Sequence, residues 1–283
     1  MFAEIQLSGF SDEIDENFDR QMAVIPKLSM RYIEIRGVDG KNIADLTDEE
    51  LQAVREKLDK AGVSVSSIGS PIGKIDITDD FAPHLEKFRR VMEMAKVLGT
   101  RYIRMFSFFM PQGGDPADYR GEVLRRLRVM IEEAEKEGLI LLHENEKGIY
   151  GDTALRCADL MKELYGEHFK AVFDFANFIQ CGVDPKDAYE LMRPYVAYIH
   201  IKDARMADGS VAPPGMGDGS LPLLLGKFKA SGYKGFLSLE PHLTNFTGLG
   251  SLEKEAQERH TALTGEEAFT LAHDELEKIL ETL

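Results

Sequence analysis

Eight short apolar segments recur along the chain, and a helical pattern follows each of them. They span residues 3–8, 31–36, 63–68, 101–106, 139–144, 171–174, 197–202 and 235–240. Strands that alternate with helices predict a parallel sheet, and eight such units predict a sheet closed into a barrel. An open doubly wound sheet is the competing architecture, but no strand leads into its Gly-x-Gly-x-x-Gly turn. We therefore expect an α/β fold, a (β/α)8 TIM barrel.

Glycine residues mark the boundaries of this repeat. Four of them stand between a helical pattern and the next strand, where a left-handed residue commonly ends a helix: Gly62, Gly99, Gly138 and Gly232. Thr47 and Glu50 have the spacing of a capping box at a helix start. No linker, low-complexity stretch or charge block divides residues 1–283, so we expect a single domain.

The charge of the chain restricts its partners. Its 49 acidic residues outnumber 34 basic ones, which gives a net charge of -15. Such a surface repels phosphate backbones and anionic headgroups, so neither nucleic acid nor a membrane is an expected partner. No basic segment followed by a long apolar stretch opens the sequence, and no apolar run approaches the roughly 20 residues that span a bilayer. We expect a cytoplasmic protein.

Polar side chains stand at the ends of the last four predicted strands. They are, in strand order, Glu144, Asp174, His200 and Glu240. In a parallel barrel, the carboxyl ends of the strands surround one mouth, where active sites lie. Strand periodicity places each side chain on one face with inward residues of its own strand: Ile140 and Leu142, Tyr198 and Lys202, Phe236 and Ser238. We expect these polar groups to converge.

Three carboxylates at one mouth repel one another and raise each other's pKa unless a cation compensates. One divalent metal held by these four residues is the simplest compensation. Oxygen-rich ligation with one nitrogen favours Mn²⁺ or Mg²⁺, with Zn²⁺ or Co²⁺ as alternatives. Taken singly, each acidic residue is also explained as a helix cap or a solvated loop residue, and the histidine as a hydrogen-bonded core residue. Their occurrence at successive strand ends favours the metal.

Three segments resemble a known family: FDFANFIQCG at 173–182, PYVAYIHIKDA at 194–204 and GYKGFLSLEPH at 232–242. They are similar to the sugar phosphate isomerase/epimerase family, which has the xylose-isomerase-like TIM barrel fold. Its superfamily also contains endonuclease IV. The resemblance covers nearly the whole chain, and it implies that Glu144 and Glu240 serve as acid and base. It also implies one divalent metal on Glu144, Asp174, His200 and Glu240.

Five further residues are candidates for contact with substrate: Lys202, Asn177, Arg104, Arg36 and His242. Lys202 lies two positions beyond His200 on the same strand face. The alternative for Lys202 is a surface salt bridge, and for the two arginines ion pairs with the acidic mouth. Asn177 enters through the resemblance, at a position where many family members carry a histidine. Because asparagine cannot transfer protons, it does not replace that histidine as an acid or base.

Two loops are expected near the mouth. Residues 213–219, PPGMGDG, follow the seventh strand, where barrels often bind phosphate. Asp218 inside this loop opposes a phosphate, so a loop that covers the substrate is the favoured interpretation. The segment 243–264 is long enough to cap the mouth or to reach a neighbouring subunit, which would allow a homo-oligomer.

These features favour a metal-dependent isomerase or epimerase of a small keto sugar or polyol, acting through an enediolate. A keto-polyol dehydratase with the same site is the enzymatic alternative. A nucleic-acid hydrolase similar to endonuclease IV requires a multi-zinc site rich in histidines, whereas His200 is the one histidine confidently placed at this mouth. A sugar-binding barrel without catalysis is disfavoured by the glutamate pair, Glu144 and Glu240.

Overall fold

The structure is a computed structural model that describes residues 5–246 and 261–283. Its barrel strands are β1 (Gln6–Gly9), β2 (Tyr32–Ile35), β3 (Ser64–Gly69), β4 (Tyr102–Met105), β5 (Ile140–His143), β6 (Phe169–Asp174), β7 (Val196–Ile201) and β8 (Phe236–Leu239). They form one eight-stranded parallel sheet in the order β1-β8-β7-β6-β5-β4-β3-β2. A parallel bridge between Phe10 and Glu34 brings the two ends of the sheet together. The predicted barrel is confirmed, and each predicted strand overlaps an observed one.

The helices follow the strands in the predicted alternation. They are α1 (Phe18–Val24), α2 (Asp48–Ala61), α3 (Phe81–Leu98), α4 (Pro116–Lys136), α5 (Ala154–Leu164), α6 (Phe175–Gln180), α7 (Pro185–Met192), α8 (Leu221–Ala230) and α9 (Gly265–Thr282). The capping box of Thr47 and Glu50 opens α2 with both of its hydrogen bonds. All four predicted cap glycines have positive φ, as the sequence indicated.

The barrel wall separates two apolar layers. Leu141, Ile199 and Leu237 belong to the large core that the helices cover. Leu142 and Tyr198 belong to a second cluster, formed by inward-facing side chains. Fully burying one large apolar side chain contributes about 1.5–3 kcal/mol. The inner cluster therefore closes the barrel interior below the site with tightly packed apolar side chains. The inward positions nearer the carboxyl ends of the strands carry the polar side chains.

Two predictions concern residues that lie outside the described part of the chain. Residues 247–260, within the segment expected to cap the mouth or reach a neighbour, lie outside the described part, as do residues 3 and 4 of the first predicted strand. Those expectations stay predictions. Across the ranges 5–246 and 261–283, none of the helices combines the length and the hydropathy required to cross a bilayer.

Candidate active site

Four side chains from successive strands meet at the carboxyl end of the barrel. Glu144 follows β5, Asp174 ends β6, His200 lies within β7 and Glu240 follows β8. One candidate ligand atom from each lies within 4.8 Å of the others, and all four residues are buried. His200 Nδ1 lies 3.1 Å from Glu144 Oε1, 3.5 Å from Glu240 Oε2 and 3.9 Å from Asp174 Oδ2. The expected convergence is present.

The junction between β6 and α6 sets the orientation of Asp174. Its Oδ1 accepts a hydrogen bond of 2.7 Å from the backbone N–H of Asn177 and caps α6. The Asn145 side chain holds the Asp174 backbone by two hydrogen bonds of 3.1 Å, donating to its carbonyl and accepting from its N–H. The helix-cap interpretation is therefore right for Oδ1. Within the described residues, Oδ2 has no hydrogen-bond partner.

The donor set fits a divalent cation. Glu144 Oε2 and Asp174 Oδ2 are buried oxygens without a hydrogen-bond partner in residues 5–246 and 261–283, which is a costly state for polar atoms. Burial, only partly offset by Lys202, raises the pKa of Asp174 to about 7. A cation between these oxygens and His200 would satisfy them and favour the ionised carboxylate. The four residues could therefore hold a metal ion.

Arg36 is tied to the acidic side chains of the mouth. Its Nε and Nη2 donate to the two Asp12 oxygens at 2.8 and 3.1 Å, and Nη2 also donates to Glu13 at 3.2 Å. Its Nη1 donates to Glu240 Oε1 at 2.9 Å. Burial opposes the charge, but the three carboxylates raise the pKa of Arg36. The structure favours the ion-pair interpretation of Arg36 over contact with substrate.

Cationic groups surround Glu240. Arg36 donates to Oε1, and His242 Nε2 lies 3.4 Å from the same oxygen. Lys202 Nζ lies 3.4 Å from Oε2 and 3.5 Å from Asp174 Oδ2. Burial acts to raise the pKa of Glu240, but Lys202 and His242 hold it well below its ordinary value. Lys202 is only 3% exposed, so the surface salt bridge is wrong and a buried ion pair replaces it.

Arg104 differs from Arg36 and Lys202 because two of its guanidinium nitrogens lack a hydrogen-bond partner among the described residues. Its Nε lies 3.4 Å from Glu144 Oε2. Among the described residues, Nε and Nη2 have no hydrogen-bond partner, although the residue is 1% exposed. The guanidinium carbon lies 5.2 Å from the ring centre of Phe10 and 4.6 Å from that of Phe106, within the range of cation–π attraction. Arg104 therefore presents hydrogen-bond donors beside Glu144.

Asn177 directs its amide group to the protein. Its Nδ2 donates to Glu144 Oε1 at 3.1 Å and to the Asn145 carbonyl at 2.9 Å. These two bonds use both amide hydrogens and fix the Glu144 carboxylate. Glu144 is thereby placed with Oε1 toward Asn177 and His200 and Oε2 toward Arg104. The predicted contact of Asn177 with substrate would have to use its oxygen.

His242 lies two residues after Glu240, on the β8 side of the site. Its backbone has a left-handed conformation, with φ of 49°. Its backbone N–H donates to Glu13 Oε2 at 2.7 Å, and its Nε2 lies 3.5 Å from Glu13 Oε1. The ring also packs against Phe246, with ring centres 5.2 Å apart. A left-handed conformation at a residue other than glycine costs on the order of 1–3 kcal/mol. The Glu13 contacts hold this conformation beside the cluster.

Three further buried acidic residues at the mouth were not predicted as site residues: Asp12, Glu13 and Glu34. Glu34 Oε2 lies 3.1 Å from His200 Nε2 and accepts a hydrogen bond of 2.8 Å from the Ser238 hydroxyl. The charge inside the apolar run Tyr32–Ile35 was the available signal for Glu34. Asp12 and Glu13 lie just beyond the carboxyl end of β1, so the argument that residues at strand ends share one mouth also applies to them.

The glycine-rich loop is anchored by Asp203, which follows Lys202. The Asp203 carboxylate accepts hydrogen bonds of 2.9–3.0 Å from the backbone N–H groups of Gly215, Gly217, Gly219 and Ala204. Burial raises the pKa of Asp203, although these four donors act to lower it. The donors that a phosphate would use are therefore engaged by a carboxylate of the chain, in agreement with the sequence argument against a phosphate cradle.

The chain is similar in sequence and in fold to several known proteins. Residues 23–264 match the family described as xylose isomerase-like TIM barrel. The chain belongs to this family. One curated family relative, 3-dehydroshikimate dehydratase of Bacillus anthracis, is 24% identical over 62% of this chain and 62% of its own length. Uncharacterized protein YihM of Escherichia coli (strain K12) is 24% identical over 62% of this chain and 49% of its length. The chain thus spans less than two thirds of either relative.

Solved structures share the barrel at low sequence identity. The IOLI protein, which has a bound zinc atom, superposes with a TM-score of 0.77 at 17% identity over 98% of this chain and 99% of its own. A xylose isomerase-like TIM barrel protein of Mycobacterium smegmatis, in complex with magnesium, gives 0.68 at 18% over 98% and 97%. The 3-keto-D-glucoside 4-epimerase YcjR of E. coli gives 0.71 at 16% over 98% and 100%. These matches establish the fold.

Proposed function

We propose that this member of the xylose isomerase-like TIM barrel family is a metal-dependent isomerase or epimerase of a small keto sugar or polyol. The observation that carries the proposal is the buried glutamate pair, because Glu144 and Glu240 each lie within 3.5 Å of His200 Nδ1 in one cluster. Epimerases among the structural relatives support the same reaction class.

The cluster of Glu144, Asp174, His200 and Glu240 would hold one divalent metal. Three carboxylates and one imidazole favour Mn²⁺ or Mg²⁺, with Zn²⁺ or Co²⁺ as alternatives. Zinc and magnesium occur in two structural relatives. When bound, such a metal supplies Lewis-acid polarisation of a substrate carbonyl.

The residues of the chain would move the protons. Glu144 has two carboxylate oxygens, so one would ligate the metal while the other removes the proton from the hydroxyl-bearing carbon beside the carbonyl. Arg104 stabilises the enediolate that results, because its Nη2 retains donors for an oxygen on which charge develops. Glu240 returns a proton to the enediolate, with its carboxylate oriented by Lys202 at 3.4 Å from Oε2. The proton held by Glu144 then exchanges through solvent, so that both glutamates regain their starting protonation states. Return to the opposite face gives an epimer, and return to the neighbouring carbon gives an isomer.

A keto-polyol dehydratase is the second candidate, favoured by the relationship to the Bacillus anthracis dehydratase. Here Glu144 removes the same proton, and the electron pair forms a carbon–carbon double bond conjugated with the carbonyl. The bond from the next carbon to its hydroxyl breaks, and a proton from the Lys202 and Glu240 pair converts the leaving hydroxide into water. The two reactions therefore differ in the second step alone.

The experiment is turnover of small ketoses and keto-polyols by metal-supplemented protein in heavy water. An isomerase or epimerase incorporates deuterium at the carbon beside the carbonyl without loss of water. A dehydratase forms an enol at the hydroxyl-bearing carbon, which tautomerises to a dicarbonyl, and mass spectrometry detects the loss of one water. Glu144→Gln should lower turnover roughly 10²–10⁴-fold. Glu146→Gln is the matched control, because Glu146 Oε2 pairs with Lys74 at 3.0 Å. Full activity of both Glu144→Gln and Glu240→Gln contradicts the proposal.

A further inference from the structure

Glu34 is a buried carboxylate that the proposed proton chemistry leaves without a role. It lies in β2 with 0% exposure, and its Oε2 contacts His200 Nε2 at 3.1 Å. Ser238 donates to the same oxygen at 2.8 Å. Ser238 and His200 are partners in the register of β8 and β7. Glu34 thus reaches two side chains on neighbouring strands from across the barrel.

The two nitrogens of the His200 ring face different surroundings. Nδ1 points to the metal cluster, 3.1 Å from Glu144 Oε1 and 3.5 Å from Glu240 Oε2. Nε2 points away from the cluster to Glu34. An ionised carboxylate accepts hydrogen bonds and donates none, so the contact with Glu34 requires a hydrogen on Nε2. By the same rule, the contact of Nδ1 with Glu144 Oε1 at 3.1 Å requires a hydrogen on Nδ1 in the metal-free cluster. A metal would displace that hydrogen and use the Nδ1 lone pair, while Nε2 keeps its hydrogen on Glu34.

Aromatic side chains fix the plane of the same ring. Phe10 meets His200 edge to face, with ring centres 5.3 Å apart and an interplanar angle of 78°. Tyr198 meets it at 5.8 Å and 86°. With the plane held by packing and Nε2 held by Glu34, the ring cannot turn to present its other nitrogen without breaking a buried hydrogen bond.

We propose that Glu34 is the positioning residue of the metal centre: it holds the hydrogen of His200 on Nε2, so that Nδ1 is the nitrogen presented to the metal between Glu144, Asp174 and Glu240. The inference rests on the proposed metal site. Partners of this kind orient the ligand and increase its basicity, and their loss typically costs 10–100-fold in metal affinity. Ser238 supports Glu34 by engaging the same oxygen.

The experiment measures metal affinity and the state of the His200 ring in Glu34→Gln, which keeps the size of the side chain and removes its charge. Titration calorimetry with Mn²⁺ should show affinity 10–100-fold lower than in the unmodified protein. In nitrogen-15-labelled protein, the Nε2–H proton of His200 should move upfield and exchange faster with water, both without metal and with Mg²⁺. Glu146→Gln should change neither reading.

Each outcome decides the inference. Unchanged affinity together with an unchanged Nε2–H signal in Glu34→Gln overturns it while leaving the metal site intact. If the unmodified protein binds no metal, the proposed function fails, and the Nε2–H signal still decides whether Glu34 holds the ring. Should Glu34→Gln lose its circular dichroism spectrum, Ser238→Ala takes its place, with a smaller affinity loss of about 2–5-fold expected. No loss in that variant overturns the proposal.

Discussion

The two flanks of the site stabilise their carboxylates in different ways. On the flank formed by β5 and β6, side-chain amides hold Glu144 and the backbone of Asp174. Each of these carboxylates retains one oxygen with no hydrogen-bond partner among the described residues. On the flank formed by β8, both oxygens of Glu240 face cationic side chains. The first flank therefore keeps two carboxylate oxygens that a metal ion would satisfy, whereas both oxygens of Glu240 already contact cationic side chains.

Because of this difference, loss of the metal should affect the two flanks in different ways. On the amide-supported flank, Lys202 at 3.5 Å offsets the burial of Asp174 only in part, and the pKa of Asp174 is raised. The cation-supported flank keeps the pKa of Glu240 well below its ordinary value, mainly through Lys202 and His242 acting against burial. We expect mutations on the first flank to alter metal binding and its dependence on pH. Mutations on the second should alter the stability of the metal-free fold.

The largest effect is expected on metal binding. Asp174→Asn with His200→Ala removes one oxygen and one nitrogen donor from the cluster. Binding should fall by more than roughly 10³-fold, because two ligands of a small cation site are lost. Dialysis followed by elemental analysis measures it, with Glu146→Gln as the unaffected control. Equal metal content in the double variant and the unmodified protein would sink the assignment of the site.

The next effect concerns the pH dependence of the metal-free protein. The pKa of Asp174 rises from 3.8 to about 7 on folding. The contribution of its neutral form to stability is therefore complete below pH about 4 and is lost as pH rises through about 7. At about 1.4 kcal/mol for each pKa unit, the decline is on the order of a few kcal/mol. Urea unfolding across this range measures it.

Asp174→Asn provides the comparison for that measurement. The asparagine variant cannot ionise, so the decline in stability between pH 4 and 7 should shrink. Saturating metal should remove the decline in the unmodified protein, because binding favours the ionised carboxylate. Parallel pH profiles for the two metal-free proteins would show that Asp174 does not carry the effect.

A smaller difference is expected between the two glutamates in the metal-free state. Glu240→Gln leaves Arg36 and Lys202 with one fewer buried carboxylate, so the free energy of unfolding should fall by about 2–4 kcal/mol. Glu144→Gln retains an oxygen for the Asn177 amide and should cost about 1 kcal/mol. Denaturant titration compares the two. A larger loss in Glu144→Gln would reverse the assignment of the flanks.

The smallest effect is expected on the stability of the glycine-rich loop, where backbone N–H groups hold the Asp203 carboxylate. A Cβ at Gly217 would lie 2.4 Å from Asp203 Oδ1 and 2.5 Å from the Ala204 carbonyl. Gly217→Ala should therefore lower thermal stability, by about 1–3 kcal/mol, because the loop must shift from its anchor. Gly121→Ala, inside α4, is the control: apart from its chain neighbours and its own helix backbone, no atom of the described residues lies within 4 Å of its Cβ, so no loss of stability is expected. Equal melting temperatures would show that the anchor tolerates displacement.

The barrel and the convergence at its mouth were accessible from the sequence because both follow from periodicity. Alternating strands and helices fix a parallel sheet, and residues at strand ends then share one rim. Glu144 and Asp174 needed no further information to be placed together. The same rule would have added Asp12 and Glu13, which lie in the 3-10 helix just beyond the end of β1.

The partners of individual atoms were not accessible in this way. Arg36 and Glu240 lie 204 positions apart, and their contact depends on side-chain conformations that no local pattern encodes. In the sequence, Glu34 is a single charged residue within the short strand β2. Its contact with His200 depends on the packing of β2 across the barrel from β7. Asp203 likewise finds its glycine donors through the path of a loop. Sequence periodicity determines which residues share a rim, whereas packing determines which of them touch.

The central claim is that one metal binds where the two flanks meet. The direct measurement is an anomalous difference map from crystals of the protein soaked in Mn²⁺. We expect one strong peak per chain, contacted by Glu144, Asp174, Glu240 and the Nδ1 atom of His200. A peak elsewhere in the molecule, or ligation of His200 through Nε2 on the side of Glu34, would contradict the account.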